Sequence, residues 1–234
     1  MRLYLITILL LLTTAVNLAQ ATIAVPDTAY GEGPTSGGEA VVEGRLLVDA
    51  TAVNPGATVR VGVLYTLDPD WHIYWHNSGQ AGLPTRQDWS GDLTTGALHW
   101  PAPHVFSEAG GFIITYGYAD EVLIWTEGVV SDAAEGEITI SVETSYLACA
   151  QSCIPATLNL TRSLQIGPLF QAASNDVIAA FRRHREQLPQ SVESLGITID
   201  VAVSQNAIRP DDEFELAIAA ISCAGPPNDS EQCE

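Results

Sequence analysis

Four cysteines carry the first chemistry in the chain: Cys149, Cys153, Cys223 and Cys233. Four thiols allow three disulfide pairings, and sequence alone selects none of them. Proximity along the chain favours Cys149–Cys153 and Cys223–Cys233. The first pair lies in Tyr146-Leu-Ala-Cys149-Ala-Gln-Ser-Cys153-Ile-Pro155, between two strand-like runs, Glu137–Tyr146 and Ile154–Ile166. Along one straight strand those cysteines would stand ~13 Å apart, whereas a disulfide needs Cα atoms roughly 4.4–6.8 Å apart. Bonding therefore requires Ala150-Gln151-Ser152 to turn, as a three-residue hairpin loop does. A loop this short limits the entropic gain to about 2 kcal/mol, the low end for a staple. Such a bond stabilises little and is easily made and broken; an inert staple is the bland alternative. The spacing also differs from C-x-x-C at a helix start, where the helix dipole lowers the thiol pKa. Any activation here must come from exposure and local groups.

The histidines offer a rival chemistry. His72 and His76 flank Ile73-Tyr74-Trp75, and His99 and His104 flank Trp100-Pro-Ala-Pro103. With two thiols nearby they could take a soft metal such as Cu(I) or Zn(II). Residues four apart on a strand share a face but lie ~13 Å apart, too far to chelate one ion without a bend. Neither a metal site nor a cofactor is expected, although His99 or His104 could tune nearby thiols. There is no G-x-S-x-G, no H-E-x-x-H and no phosphate-cradling glycine loop, so hydrolase chemistry has no support. Cys223 and Cys233 bracket a polar terminal loop without rigid support, so they are expected as a structural bond or free thiols rather than a catalytic pair.

These groups need elements to hold them. Strand-like runs occur at Ala40–Ala50, Thr58–Leu67, Trp71–Trp75, Gly96–Trp100, Glu121–Glu127, Glu137–Tyr146 and Ile154–Ile166. Thr58–Leu67 puts Val59, Val61, Val63 and Tyr65 on one face. Trp71, Trp75, Trp89 and Trp100 are large enough to belong to the core or its edge. Seven strands without intervening helices predict an all-β, antiparallel, immunoglobulin-like β-sandwich. It is followed by a short helix through Asp176–Arg185, with Ser174 as cap and Pro189 beyond its end. Arginines in the last turns suit the helix dipole. Ile197–Val203 and Glu213–Ala220 then start an incomplete second β unit, because two strands bury no core alone. The expected organisation is a leader over 1–21, a flexible lead-in over 22–38 and the sandwich over 39–167. A helical linker over 168–195 and a truncated second unit over 196–234 complete it.

Met1-Arg2, the apolar run Leu3–Val16 and the A-x-A ending at Ala21 form an export signal with cleavage expected after Ala21. The run is short of the roughly 20 residues a spanning helix needs. An exported chain meets oxidising conditions that permit disulfides. With 28 acidic against 9 basic residues, the net charge of −19 repels phosphate backbones and excludes nucleic-acid binding.

Several separate motifs carry a resemblance. Trp71-His-Ile-Tyr-Trp-His-Asn-Ser-Gly-Gln-Ala-Gly-Leu-Pro84 resembles the W-H-x-Y-W-x-N-x-G-x-x-G-L-P signature of a family of periplasmic domains. These are the N-terminal domains of DsbD-like thiol:disulfide interchange proteins, here of the ScsB type. Leu98-His-Trp-Pro-Ala-Pro-His104, Tyr116-Gly-Tyr118 and Tyr146-x-x-Cys-x-x-x-Cys-x-Pro155 follow in that family's order, over roughly Glu39 to Gly167. The resemblance implies that Cys149 and Cys153 are the redox pair of an immunoglobulin-like domain in the periplasm. Electrons would come from a membrane-embedded donor domain, in trans or missing from this chain, and pass to periplasmic thioredoxin-like proteins. It also implies an aromatic cap loop, for which Phe112 is a candidate. The DsbD branch has a longer inter-cysteine spacer, so partner identity does not transfer. The alternatives are an exported copper-binding, copper-tolerance module and a non-catalytic β-sandwich interaction domain. Nothing in the sequence marks which cysteine is attacked first.

Overall fold

The computed structural model describes residues 23–222 apart from Asn206 and Ile208. The leader with its cleavage point at Ala21, and both Cys223 and Cys233, lie outside the described residues. In chain order the strands begin with β1 (Tyr30–Glu32), β2 (Thr35–Ser36), β3 (Glu39–Ala40), β4 (Val42–Val48), β5 (Ala50–Val53) and β6 (Thr58–Leu67). Next come β7 (His72–Gly79), β8 (Arg86–Gly91), β9 (Leu93–Thr95), β10 (His104–Glu108) and β11 (Ile113–Tyr118). The long strands β12 (Glu121–Val130), β13 (Glu137–Cys149) and β14 (Cys153–Ile166) precede β15 (Gln171–Ala172) and helix α1 (Asn175–Glu186). A final hairpin pairs β16 (Ile197–Val203) with β17 (Leu216–Ser222).

Two sheets pack face to face, as immunoglobulin-like sandwiches do. One has the order β1-β4-β6-β12-β9, the other β10-β11-β7-β13-β14-β5-β15 with β8 also on β13. Alternation builds the interior. On β13, Ile138, Ile140, Val142, Thr144, Tyr146 and Ala148 are buried while the residues between them are exposed or half-buried. Val63, Tyr65 and Ile124 from the first sheet meet Val142, Tyr146 and Leu160 from the second. Val59, Val61, Val130, Ile140 and Leu164 continue the core along the sandwich. Each fully buried apolar side chain contributes roughly 1.5–3 kcal/mol. Trp71, Trp75, Trp89 and Trp100 pack at the edge of this core, as their size predicts.

The central strands of the first sheet are apolar on both faces, and α1 is the reason. Val177, Ala180, Phe181 and His184 recur at helical spacing and are buried. They pack on Leu47, Leu64, Leu123 and Trp125, on the face turned away from the second sheet. Ser174 occupies the cap position, but its hydroxyl makes no capping bond. Asp176 in the first turn and Arg183, His184 and Arg185 in the last suit the helix dipole instead.

Local structure departs from the sequence reading in several places. Gly96–Trp100 contributes one bridge, His99 to Trp125, rather than a strand, and the edge place is taken by β9. Tyr30–Glu32, read as flexible lead-in, pairs with β4 and leaves Ala29 fully buried. Arg86–Gly91 is too polar to announce itself, yet it pairs with β13 from Ile140 to Ser145. Just after Phe112, the residue named as a cap-loop candidate, Ile113–Tyr118 forms β11, which pairs with both β10 and β7.

Candidate functional site

The register of the β13–β14 hairpin sets Cys149 directly opposite Cys153. Ala150 N–H donates to the Ser152 carbonyl oxygen at 3.1 Å across the three-residue loop. The two Cα atoms stand 4.1 Å apart, and the cysteines form a disulfide. The turn required by the spacing is therefore present.

The two sulfurs have different surroundings because their strands do. β7 lies against β13 up to its last residue, pairing Cys149 with His72, and Cys149 is 1% exposed. β14 meets its outer neighbour β5 only at Gln165 and Ile166, at the far end. At the cysteine end, among the described residues, β14 has no strand on its outer side, and Cys153 is exposed.

Tyr74 Oη donates to Cys149 Sγ at 3.2 Å. Its ring is positioned by two glycines. At Gly117, opposite Tyr74 on β11, a Cβ would sit 2.2 Å from the Ile73 carbonyl oxygen. At Gly82, with φ +86°, a Cβ would sit 2.4 Å from the Tyr74 ring. Thr85 Oγ1 adds a bond to the Tyr74 carbonyl oxygen at 2.7 Å. The tryptophan-histidine and glycine-leucine-proline ends of one motif thus meet around a single phenol. Burial first, and then the Glu108 carboxylate, push the Tyr74 hydroxyl up to about 12, so it stays a proton donor at neutral pH.

His72 lies beside it, buried, with its ring stacked on Phe106 at 4.5 Å and edge-on to Tyr74 at 5.1 Å. His72 Nε2 is 3.6 Å from Glu108 Oε1 and makes no hydrogen bond among the described residues. Glu108 Oε1 instead accepts Thr115 Oγ1 at 2.7 Å. Burial lowers the His72 pKa, and Glu108 opposes that shift.

The other histidines go elsewhere. His99 stacks on Trp125 of the other sheet at 4.0 Å, and His76 lies against Trp75 and Trp100. His104 is exposed on β10. The histidine that reaches the sulfur layer is His72 rather than His99 or His104. Among the described residues, no three His, Cys, Asp or Glu side chains converge as metal ligands. Phe112 is 86% exposed, whereas Phe106 is the aromatic laid against His72 at the site. Sequence reasoning misses Glu108 and Phe106, which arrive only because the β10–β11 hairpin folds back on β7.

The site is thus a disulfide presented at a hairpin end of an immunoglobulin-like sandwich. Residues 43–164, just over half the chain, match the family described as "Thiol:disulfide interchange protein DsbD, N-terminal". The chain belongs to that family. Among solved structures it is similar to the N-terminal periplasmic domain of ScsB from Proteus mirabilis, with 20% identity and a TM-score of 0.54. That likeness covers 74% of this chain and 64% of the ScsB structure, so the chain spans less than two thirds of that relative's length. The DsbD N-terminal domain of Neisseria meningitidis, in its reduced form, also matches, at 13% identity and TM-score 0.32 over 55% of this chain and 90% of that one. None of the curated proteins matches the chain. Among the described residues, no helix is long and apolar enough to cross a membrane.

Proposed function

We propose that Cys149 and Cys153 are the redox pair of a periplasmic exchange module. It takes electrons from a membrane-embedded donor domain and passes them to thioredoxin-like proteins. The observation that carries this reading is the contrast at the hairpin end, one sulfur buried under a phenol and the other open to solvent. In this reading a donor thiolate attacks Cys153 Sγ, the disulfide breaks, and its electron pair leaves on Cys149 Sγ. Tyr74 donates to that departing sulfur. A second donor thiolate then attacks the donor's own sulfur in the mixed disulfide and releases Cys153, leaving the donor oxidised and this pair reduced.

Residues 39–167 are the exchange domain in this proposal, 168–195 form a helical linker, and 196–234 begin a second β unit. Export with cleavage after Ala21 delivers the chain to the periplasm. Equilibration in glutathione buffers tests the reading, with bound copper assayed on the same sample. Reversible two-electron behaviour that is lost in Cys149→Ala supports it. Copper retained through gel filtration, or no redox response at all, rejects it. A Cys223→Ser, Cys233→Ser double variant should keep full exchange with a thioredoxin-like protein.

A further inference from the structure

Opening the disulfide creates a charge problem that the apolar surroundings do not solve. Cys149 leaves as a thiolate at a position that is 1% exposed, and the half-buried Glu108 carboxylate already acts on the Tyr74 phenol that touches it. Two anions beside one phenol, the sulfur buried and the carboxylate half-buried, disfavour each other. The one basic group facing them among the described residues is His72. Its strand pairs residue for residue with Cys149, and its Nε2 is buried, unbonded and 3.6 Å from Glu108 Oε1. A buried polar atom without a partner costs free energy in the oxidised protein, and a state that gives it a partner recovers that cost. The groups facing His72 are Glu108 from β10, Thr115 from β11, Tyr74 from its own strand and Cys149 from β13, with Phe106 closing the face.

We infer that His72 is the charge-compensating residue of the redox site: it takes up a proton onto Nε2, pairs with Glu108, and so stabilises the thiolate that leaves on Cys149. The inference rests on the proposed exchange at Cys149 and Cys153 and adds a residue that acts on it through Glu108 and Tyr74. His72 is a positioning residue in this scheme, since it does not touch the reacting sulfur. The balance is simple. The donor's electron pair forms the new bond to Cys153 Sγ, the old bonding pair stays on Cys149 Sγ, and one solvent proton moves to His72 Nε2. A leaving thiol with a lower pKa leaves faster, so the protonated site is the quicker one to open.

The test measures reduction of the full chain by excess dithiothreitol between pH 5 and 8, using tryptophan fluorescence. Rate constants are divided by the reductant's thiolate fraction. The corrected rate of the unmodified protein should rise roughly threefold to tenfold as pH falls. His72→Gln should flatten that rise, and Glu108→Gln should move it to lower pH, because neutral Gln no longer favours the imidazolium. A rise of the same size and midpoint in His72→Gln overturns the inference, as does a flat profile in the unmodified protein. Circular dichroism and free-thiol counts on each variant establish that the sandwich and its disulfide are intact. Should His72→Gln not fold, the direction of the Glu108→Gln shift decides. The two readings fail separately. Exchange with a thioredoxin-like protein tests the relay, whereas dithiothreitol reads the bond chemistry without any partner.

Discussion

Two histidines are buried in this chain by different layers, and their ring nitrogens are treated in opposite ways. In the helix layer, His184 Nδ1 bonds to the Ala180 carbonyl oxygen at 2.9 Å, and Phe181 closes the neighbouring space against Trp125. In the disulfide layer, His72 Nε2 is left without a partner beside a carboxylate and a phenol that touches sulfur. The helix layer bonds its buried histidine and acts as a clamp on the first sheet. The other leaves a histidine nitrogen open beside the Cys149–Cys153 disulfide. Among the described residues, buried unpaired side-chain atoms also occur at Trp75, Trp125, Tyr146 and Arg162, so the contrast lies in the two histidines and in the sulfur beside one of them.

The sharpest way to break that contrast is to disturb the clamp and ask whether the site notices. Phe181 is fully buried, packs edge-on against Trp125 and lies under the Arg60 guanidinium at 5.5 Å. Phe181→Ala should cost about 3–5 kcal/mol in urea unfolding, the usual range for deleting a buried aromatic. The rate at which dithiothreitol opens the Cys149–Cys153 bond should stay within about twofold, because the helix lies on the far side of the first sheet. A large change in that rate would mean that the layers are coupled.

Next in size is Gly82, whose missing side chain makes room for Tyr74. Gly82→Ala places a methyl where the ring now stands and forces a left-handed backbone on a residue that resists it. Destabilisation of about 1–3 kcal/mol is expected, together with slower disulfide opening as Tyr74 moves off Cys149. Unlike Phe181→Ala, this change should show in both readouts.

How far the sequence reveals these arrangements depends on the range of the interactions. Val59, Val61, Val63 and Tyr65 are readable because strand alternation is local and all four turn into the core. Cys149 and Cys153 are readable as a turn because three residues must bridge them. Glu108 and Phe106 are not, since their approach to His72 depends on a hairpin that folds back across two other strands. The helix layer announces itself only indirectly, as apolar residues such as Leu64 and Leu123 on the outward face of β6 and β12. Period-two reading treats those positions as noise until a third layer covers them. The histidines of the W-H-x-Y-W-x-N segment look alike in sequence, yet one is buried beside the disulfide and the other is exposed against Trp75.

A gentler change removes one atom. Tyr74→Phe keeps the ring and its packing but deletes the hydroxyl that donates to Cys149 Sγ. Stability should fall by about 1 kcal/mol, the net worth of an ordinary hydrogen bond. The Cys149 thiol pKa should rise, because the thiolate loses its donor. Thiolate absorbance at 240 nm during titration of a Cys153→Ser background would measure that rise. An unchanged Cys149 pKa would remove Tyr74 from the chemistry and leave it a packing residue.

The smallest effect tests the clamp's own histidine. Burial lowers the His184 pKa, and the Arg183 charge acts in the same direction. The Ala180 carbonyl oxygen and Glu121 oppose the shift without reversing it. The unfolded chain, with an ordinary histidine near 6.5, therefore binds the proton more readily than the folded one. Stability tied to His184 is complete above about pH 6.5 and is lost as the pH falls toward the lowered folded value. Urea midpoints measured from pH 7.5 down to 5.5 should decline, and His184→Gln should decline less. In that range the many carboxylates are still ionised, and they contribute equally to both proteins. His72 is shifted the same way and contributes a decline of the same sign, so His72→Gln should also flatten the curve. The two differ once the disulfide is opened: His184→Gln should give the same flattening in oxidised and reduced protein. His72→Gln should flatten the oxidised curve alone, because in the reduced protein the nearby thiolate makes protonated His72 welcome. Equal behaviour of the two variants in both redox states would erase the distinction between clamp and site.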